Sequence, residues 1–236
     1  MVNSSELSDR TVTRAWMMYS CRRPRDFWLL ALALLVTTGW TAGQTDSGLN
    51  DALRTLLVDS HNRFRAAVSA TNMLQMRWNY RLEQLSADWV SQCTFRHQEN
   101  PSWGENLFRS DFNLDEQAII YSALDSWNLE EAFFKGDPNC CNAPLNTTLC
   151  CSYTQMMWAT TRDVGCALKK CPLLTSADIN YTNAWFLACY YSPAGNVESV
   201  SQPFEEGGTP CSACPFSYSS CENNLCAPSP WCKGNL

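Results

Sequence analysis

The chain has 236 residues, of which 45% are apolar and 17% charged, enough for one sizeable core and a small appendage. Its 14 cysteines are hard to reconcile with a reducing cytosol and are typical of the disulfide frameworks of secreted proteins. The first 43 residues carry five arginines and three acidic residues, which leaves 12 basic and 20 acidic residues and a net charge of −8. That charge repels nucleic acid and anionic lipid headgroups, so we expect no nucleic-acid partner.

The N-terminal segment has the features of a secretory signal. Arg22, Arg23 and Arg25 precede an apolar run over 27–36, and small residues follow up to Gly43, where we expect cleavage. The run is too short to span a bilayer, and no second run of spanning length follows it. We therefore expect an N-terminal extension and signal peptide over 1–43, a secreted, extracellular protein, and no stable membrane anchor.

Four helices are predicted along the chain. The first covers 49–70 and carries His61, which is either a ligand or, more often in such positions, a ring whose nitrogens bond nearby backbone or a carboxylate. The second ends near Cys93, the third covers 115–134, and a short fourth covers 153–160. Their proposed core positions are Leu49, Ala52, Leu53, Leu56, Leu57, Phe64, Val68, Leu82, Leu85, Trp89, Val90, Ile119, Ala123, Trp127 and Phe134.

Two strands are predicted over 164–171 and 184–192. The second is nearly all apolar, as expected of a strand that is covered on both faces. A Gly-Gly-Thr-Pro stretch over 207–210 then breaks the pattern, and a small cysteine module begins at Cys211. Its C-x2-C pair is compatible with zinc, but disulfides are the more common use of such cysteines outside the cell.

Six short motifs follow one another in the chain. In order, they are Cys93-Thr94-Phe95-Arg96-His97, Gly104-Glu105-Asn106-Leu107, Trp127-Asn128-Leu129-Glu130, Cys150-Cys151-Ser152-Tyr153-Thr154-Gln155-Met156-Met157-Trp158, Gly165-Cys166 and Phe186-Leu187-Ala188-Cys189-Tyr190-Tyr191-Ser192-Pro193-Ala194-Gly195-Asn196-Val197. Together they resemble the CAP superfamily of cysteine-rich secretory, antigen-five and plant pathogenesis-related proteins. The resemblance covers 49–226, and residues 73–78 are most similar to the branch of peptidase inhibitor 16 and the glioma pathogenesis-related proteins.

The resemblance implies the fold and its division. The fold class is α+β, a three-layer α-β-α sandwich with a small disulfide-rich hinge module at its C-terminal end. Residues 44–200 would form the CAP domain, 201–210 a linker and 211–236 the cysteine-rich tail.

The resemblance also implies a set of disulfides. It pairs Cys93 with Cys171, Cys166 with Cys189, Cys211 with Cys221 and Cys214 with Cys226. The vicinal pairs that remain would bond each other across an eight-residue loop. We expect Cys140–Cys151 and Cys141–Cys150, although the sequence also permits Cys140 to join Cys150.

Thirteen cysteines follow the signal segment, so one has no partner. We expect this to be Cys232, which forms a disulfide-linked dimer or takes a small-thiol cap, unless it invades the hinge and displaces a bridge. Asn146 and Asn180 begin N-x-T sequons and are expected to be glycosylated in a secreted chain.

The candidate site also follows from the resemblance. The family's central cleft has two histidines and two glutamates and binds a divalent metal in several members. Here those positions hold His97, Glu105, Glu130 and Ser152, and a serine hydroxyl is a poor substitute for an imidazole ligand. We therefore expect no tightly bound metal and no cofactor.

Three interpretations of these residues remain open. In the first, His97, Glu105 and Glu130 form a hydrogen-bonded cluster that holds loops against the sheet, while Gln155 and Trp158 pack the cleft wall. In the second, the domain is a non-enzymatic scaffold that binds a lipid or sterol, or an extracellular protein. In the third, His97 acts with Glu105 or Glu130 as a weak hydrolase or protease, or the protein is a protease-inhibitor-like regulator. No Gly-x-Ser-x-Gly or His-Glu-x-x-His motif supports a hydrolase.

Overall fold

The computed structural model of the chain describes residues 46–137, 140–142, 147–197 and 202–229. The predicted signal peptide up to Gly43, the sequon asparagine Asn146 and the unpaired Cys232 lie outside these ranges. Within them, no helix has the length and apolar character needed to cross a membrane.

Polar caps determine where the three long helices begin. Helix α1 (Asp51–Ala67), α2 (Tyr80–Val90) and α3 (Glu116–Leu129) each follow a residue whose side-chain oxygen accepts a hydrogen bond from the first turn. These caps are Asn50, Asn79 and Asp115.

The predicted helix over 115–134 is interrupted at Glu130. A short helix α4 (Glu131–Phe134) follows and ends at Lys135, which has a left-handed backbone. The short helix α5 (Cys151–Met156) begins two residues earlier than predicted.

The strands form one mixed sheet and two small hairpins. They are β1 (Arg77–Trp78), β2 (Thr94–Phe95), β3 (Gly104–Ser110), β4 (Cys141–Asn142), β5 (Thr147–Thr148), β6 (Asp163–Ser176), β7 (Tyr181–Ser192), β8 (Ser220–Glu222) and β9 (Leu225–Ala227). The sheet order is β1-β6-β7-β3, and β2 pairs with the far end of β6. Both predicted strands are present but longer, whereas β3 was not predicted.

The alternation of side chains along β7 produces the two cores. Its even-numbered residues from Ala184 to Tyr190 pack with α2, and its odd-numbered residues from Trp185 to Tyr191 pack with α1, α3 and α5. The sheet is therefore covered on both faces, and the predicted three-layer α-β-α sandwich is confirmed.

The cysteine-rich tail packs directly against the sandwich. Cys226 donates its backbone N–H to Met73 O at 2.7 Å, and its carbonyl accepts from Gln75 N at 2.9 Å. Leu225 is only 2% exposed because it inserts into the larger core, as does Phe204 from the segment before the tail. The tail thus extends the buried core of the domain.

Six disulfides join cysteines of the described ranges. Four are the pairs that the family resemblance implies, namely Cys93–Cys171, Cys166–Cys189, Cys211–Cys221 and Cys214–Cys226. Cys166 and Cys189 lie directly opposite each other on β6 and β7, with their Cα atoms 4.1 Å apart.

The expected pairing of the vicinal cysteines is wrong. The structure joins Cys140 to Cys150 and Cys141 to Cys151. Each vicinal pair has one buried and one partly exposed cysteine, and each bridge joins two cysteines of similar burial. Cys140 and Cys150 are buried and meet in the core, whereas Cys141 and Cys151 are partly exposed and meet near the surface.

Candidate functional site

His97 and Glu105 form a close pair at one end of β3. The Nδ1 atom of His97 lies 2.6 Å from Glu105 Oε1, and the Gln98 backbone N–H also donates to that oxygen. The His97 side chain is 75% exposed, but that of Glu105 is only 4% exposed. The hydrogen bond to Glu105 raises the pKa of His97, an effect that desolvation partly opposes.

The second oxygen of Glu105 belongs to a group of three unsatisfied polar atoms. Glu105 Oε2, Tyr190 Oη and Trp103 Nε1 are buried, and none makes a hydrogen bond of normal geometry. Tyr190 faces Glu105 across the β3–β7 register and stacks on Trp103 with ring centroids 5.3 Å apart. Burial and, after it, the Glu105 charge raise the pKa of Tyr190, so this phenol stays neutral.

Glu130 caps a helix to which it is not adjacent in sequence. Its Oε2 accepts hydrogen bonds from the backbone N–H groups of Ser152 at 2.8 Å and Tyr153 at 3.1 Å, in the first turn of α5. The N-cap position itself, Cys150, supplies no side-chain bond. Burial raises the pKa of Glu130, although the hydrogen bonds from Tyr153 and Ser152 oppose this change. This carboxylate therefore stabilises the start of α5.

Ser152 is joined to the core through its carbonyl. Asn106 Nδ2 donates to Ser152 O at 2.9 Å and to Tyr191 Oη at 3.3 Å. Tyr191 Oη in turn lies 3.0 Å from His61 Nε2, and His61 Nδ1 lies 2.7 Å from Leu57 O. A buried hydrogen-bonded chain thus runs from α1 to the first turn of α5.

The two partners of His61 determine its protonation. Because a carbonyl oxygen can only accept, Nδ1 carries the proton that bonds Leu57, and Nε2 accepts from the Tyr191 hydroxyl. His61 is fully buried, and this desolvation lowers its pKa to about 4. The interpretation of His61 as a structural residue bonded to nearby backbone is confirmed, since neither nitrogen remains for a ligand.

Gln155 and Trp158 pack tightly beneath two glycines. Gln155 Oε1 accepts from Gly195 N at 2.8 Å, and Trp158 also contacts this glycine. A Cβ atom at Gly104 would overlap Gln155 Oε1. Gln155 is 1% and Trp158 6% exposed, so their side chains fix the loop after β7 and offer little surface to a ligand.

Arg65 is an important residue that the sequence analysis did not identify. It is fully buried and donates to the backbone carbonyls of Leu74, Met156, Trp158, Ala159 and Thr161. Burial lowers its pKa to about 9, so the guanidinium remains charged at neutral pH. The sequence signal that could have identified Arg65 is its position in His61-Asn62-Arg63-Phe64-Arg65, one helical turn after His61 and on the same face of the helix.

These donors do not fit a bound metal ion. In the part of the chain that the structure describes, the one group of three potential ligands close enough together is Cys211, Cys214 and Cys226. All three of those sulfurs are in disulfides. His97 and Glu105 bond each other, Glu130 caps α5, and Ser152 offers no imidazole. The structure therefore brings together two pairs, His97–Glu105 and Glu130–Ser152.

Several known proteins are similar to this chain. A model of the cysteine-rich secretory protein family matches residues 58–191. Human Peptidase inhibitor 16 is 36% identical over 205 residues, which cover 86% of this chain but 42% of that protein. Zebrafish (Danio rerio) Peptidase inhibitor 15-A is 34% identical over 190 residues, which cover 76% of this chain and 70% of the relative.

Solved structures agree with the fold. The crystal structure of NaASP2 with Zn²⁺ has a TM-score of 0.64 and 26% identity, covering 78% of this chain and all of that one. The Hookworm Platelet Inhibitor has a TM-score of 0.60 and 23% identity, covering 80% of this chain and 98% of that one, a likeness in fold alone.

Proposed function

Because the chain belongs to the cysteine-rich secretory protein (CAP) family, we propose that it is a secreted, non-enzymatic scaffold that binds a lipid or sterol, or an extracellular protein. The observation that carries this proposal is the use of Glu130. Its carboxylate bonds the first turn of α5, so the polar residues of the cleft hold the fold together instead of converging on one reacting atom.

The described residues of the cleft do not form a complete hydrolytic site. An activated nucleophile requires a base within hydrogen-bond reach, and no hydrogen bond joins Ser152 to His97 in the described residues. A metal-bound water requires a ligand set that these residues do not provide. Among the described cleft residues, the His97–Glu105 pair is the arrangement that favours a hydrolase, and it is tested below.

The surface supports a binding role. Large apolar side chains remain more than half exposed at Leu129, Phe133 and Leu149, around the α3–α4 junction and the vicinal cysteines. Exposed apolar groups of this size suit contact with an apolar ligand or a partner protein. The disulfides and buried hydrogen bonds beneath them provide a rigid frame for such contacts.

Secreted protein from eukaryotic cells provides the test. Native mass spectrometry should show a bound lipid or a co-purifying protein, and this bound mass should be lost under denaturing conditions. Replacing His97 and Glu105 together by Gln should leave that bound mass unchanged. Robust hydrolysis of peptides or esters by the pure protein, lost in the double variant, would instead establish the enzyme interpretation and overturn the proposal.

A further inference from the structure

A small cavity lies at the opposite end of β3 from Glu105. It has a volume of about 270 Å³ and is lined by Phe108, Arg109, Ser110 and the following loop, by Ser122 of α3 and by Tyr181 of β7. Ser110 lies five positions after Glu105 along the extended strand, which corresponds to about 17 Å. The cavity is therefore distinct from the His97–Glu105 pair.

Arg109 is held in place by aromatic rings. Its guanidinium carbon lies 4.0 Å from the centroid of the Tyr181 ring and 5.3 Å from that of Phe95. Rings cover the faces of a stacked guanidinium and leave its N–H edges available. In the described ranges no carboxylate pairs with Arg109, whereas Arg54, Arg77 and Arg162 each pair with at least one. The exposed Asp111 lines the cavity but makes no ion pair with Arg109.

The remaining wall is largely aromatic and is fixed in position. Phe108, Phe112 and Tyr181 line it, and Phe112 is 71% exposed. The loop that carries Phe112 is tied at both ends. The Phe112 backbone N–H donates to Ser110 Oγ, and Trp185 Nε1 donates to Leu114 O, each at 3.2 Å. A ligand would cover apolar surface that the fold leaves in water.

We propose that this cavity binds a small amphipathic carboxylate. A single aromatic ring would lie against Phe112 and Tyr181, and its carboxylate would accept hydrogen bonds from the free N–H edge of Arg109. The volume lies just below the range of about 300–1,000 Å³ that is typical of small-molecule pockets, which favours a ligand with one ring. This site is independent of the function proposed above, and either can fail alone.

The test uses 3-phenylpropionate as the probe and the whole disulfide-intact protein. Saturation-transfer NMR and a titration followed by amide shifts should detect binding, with shifts concentrated at residues 108–112 and 181. Arg109→Gln should weaken it at least about 10-fold, as expected for a lost hydrogen bond to a charged group. The neutral analogue 3-phenylpropanol should bind the wild type at least about 10-fold more weakly for the same reason.

Arg96→Gln is the matched control. Arg96 is also stacked on an aromatic ring, 4.8 Å from the centroid of Trp89, but it lines a different groove. This variant should bind the probe as the wild type does. Three outcomes would each overturn the proposal: no binding of 3-phenylpropionate at 10 mM (roughly the weakest affinity that such a site should have), equal binding by the Arg109 variant, or equal binding of the alcohol.

Discussion

Buried His61 should make the protein sensitive to mild acid. The chain has two histidines, and this one is enclosed as a neutral ring by Leu57 and Tyr191. Burial lowers its pKa from 6.5 to about 4, so between these values the unfolded chain binds a proton that the folded chain rejects. Stability is therefore fully present above pH 6.5 and is lost as the pH falls towards 4.

The structure gives the magnitude. This lowering of the His61 pKa contributes about 3 kcal/mol in total to the free energy of unfolding, of which about 2.5 kcal/mol is lost between pH 7.5 and 4.5. His97 acts in the opposite direction, because its pKa is raised and its pair with Glu105 stabilises the fold as the pH falls. The His97 side chain of that pair is 75% exposed, so solvent screens the interaction and its contribution is small. Protonation of Glu130, whose pKa burial raises, also offsets part of the loss.

Guanidinium unfolding of the disulfide-intact protein at pH 7.5 and 4.5 measures the effect. Between pH 7.5 and 4.5, the free energy of unfolding should fall by about 2 kcal/mol more in the wild type than in His61→Gln. The variant is less stable at pH 7.5 but lacks the titrating ring. His97→Gln should lose at least as much as the wild type. In the wild-type NMR spectrum, the His61 ring signals should not titrate above about pH 5, whereas those of His97 should. Equal losses in the wild type and His61→Gln, or titration of the His61 signals near pH 6.5, would refute this account.

Four further predictions follow from the contacts around the site. Glu130→Ala should lower the free energy of unfolding by about 1–2 kcal/mol through loss of the α5 cap, measured in denaturant, whereas a change within 0.3 kcal/mol would contradict the capping role. Gly104→Ala should lower the free energy of unfolding by about 1–3 kcal/mol, because the added Cβ displaces Gln155. In a double-mutant cycle, Gln155→Ala should recover part of that loss, and additive effects of the two substitutions would contradict the clash. Arg65→Leu should lower the free energy of unfolding by more than about 4 kcal/mol or abolish secretion, because several buried carbonyls lose their hydrogen-bond donor. Normal secretion and stability of this variant would contradict the structural role of Arg65. Ser152→His should strengthen zinc binding about 10-fold or more in calorimetry, and nanomolar binding by the unmodified protein would show that the donors do fit a metal.

Local chemistry in the sequence determined much of the fold. Asn50, Asn79 and Asp115 are good helix caps, because capping depends on residues only three apart. The two helix starts that were predicted, at 49 and 115, lie within two residues of the observed starts at Asp51 and Glu116. The apolar run over 184–192 predicted a strand covered on both faces, and it lies at the centre of both cores. The order of the six motifs was sufficient to identify the family and its three-layer sandwich.

Contacts between distant residues were decided only by the tertiary structure. Glu130 interrupts a predicted helix and caps another that begins 21 residues later, and Arg65 reaches carbonyls more than 90 residues away. No periodicity encodes such partners, because they depend on how whole elements pack. The vicinal cysteines illustrate the same limit. Their spacing permits both pairings, and the burial of Cys140 and Cys150 selects one, since thiols that point into the same core can meet only each other.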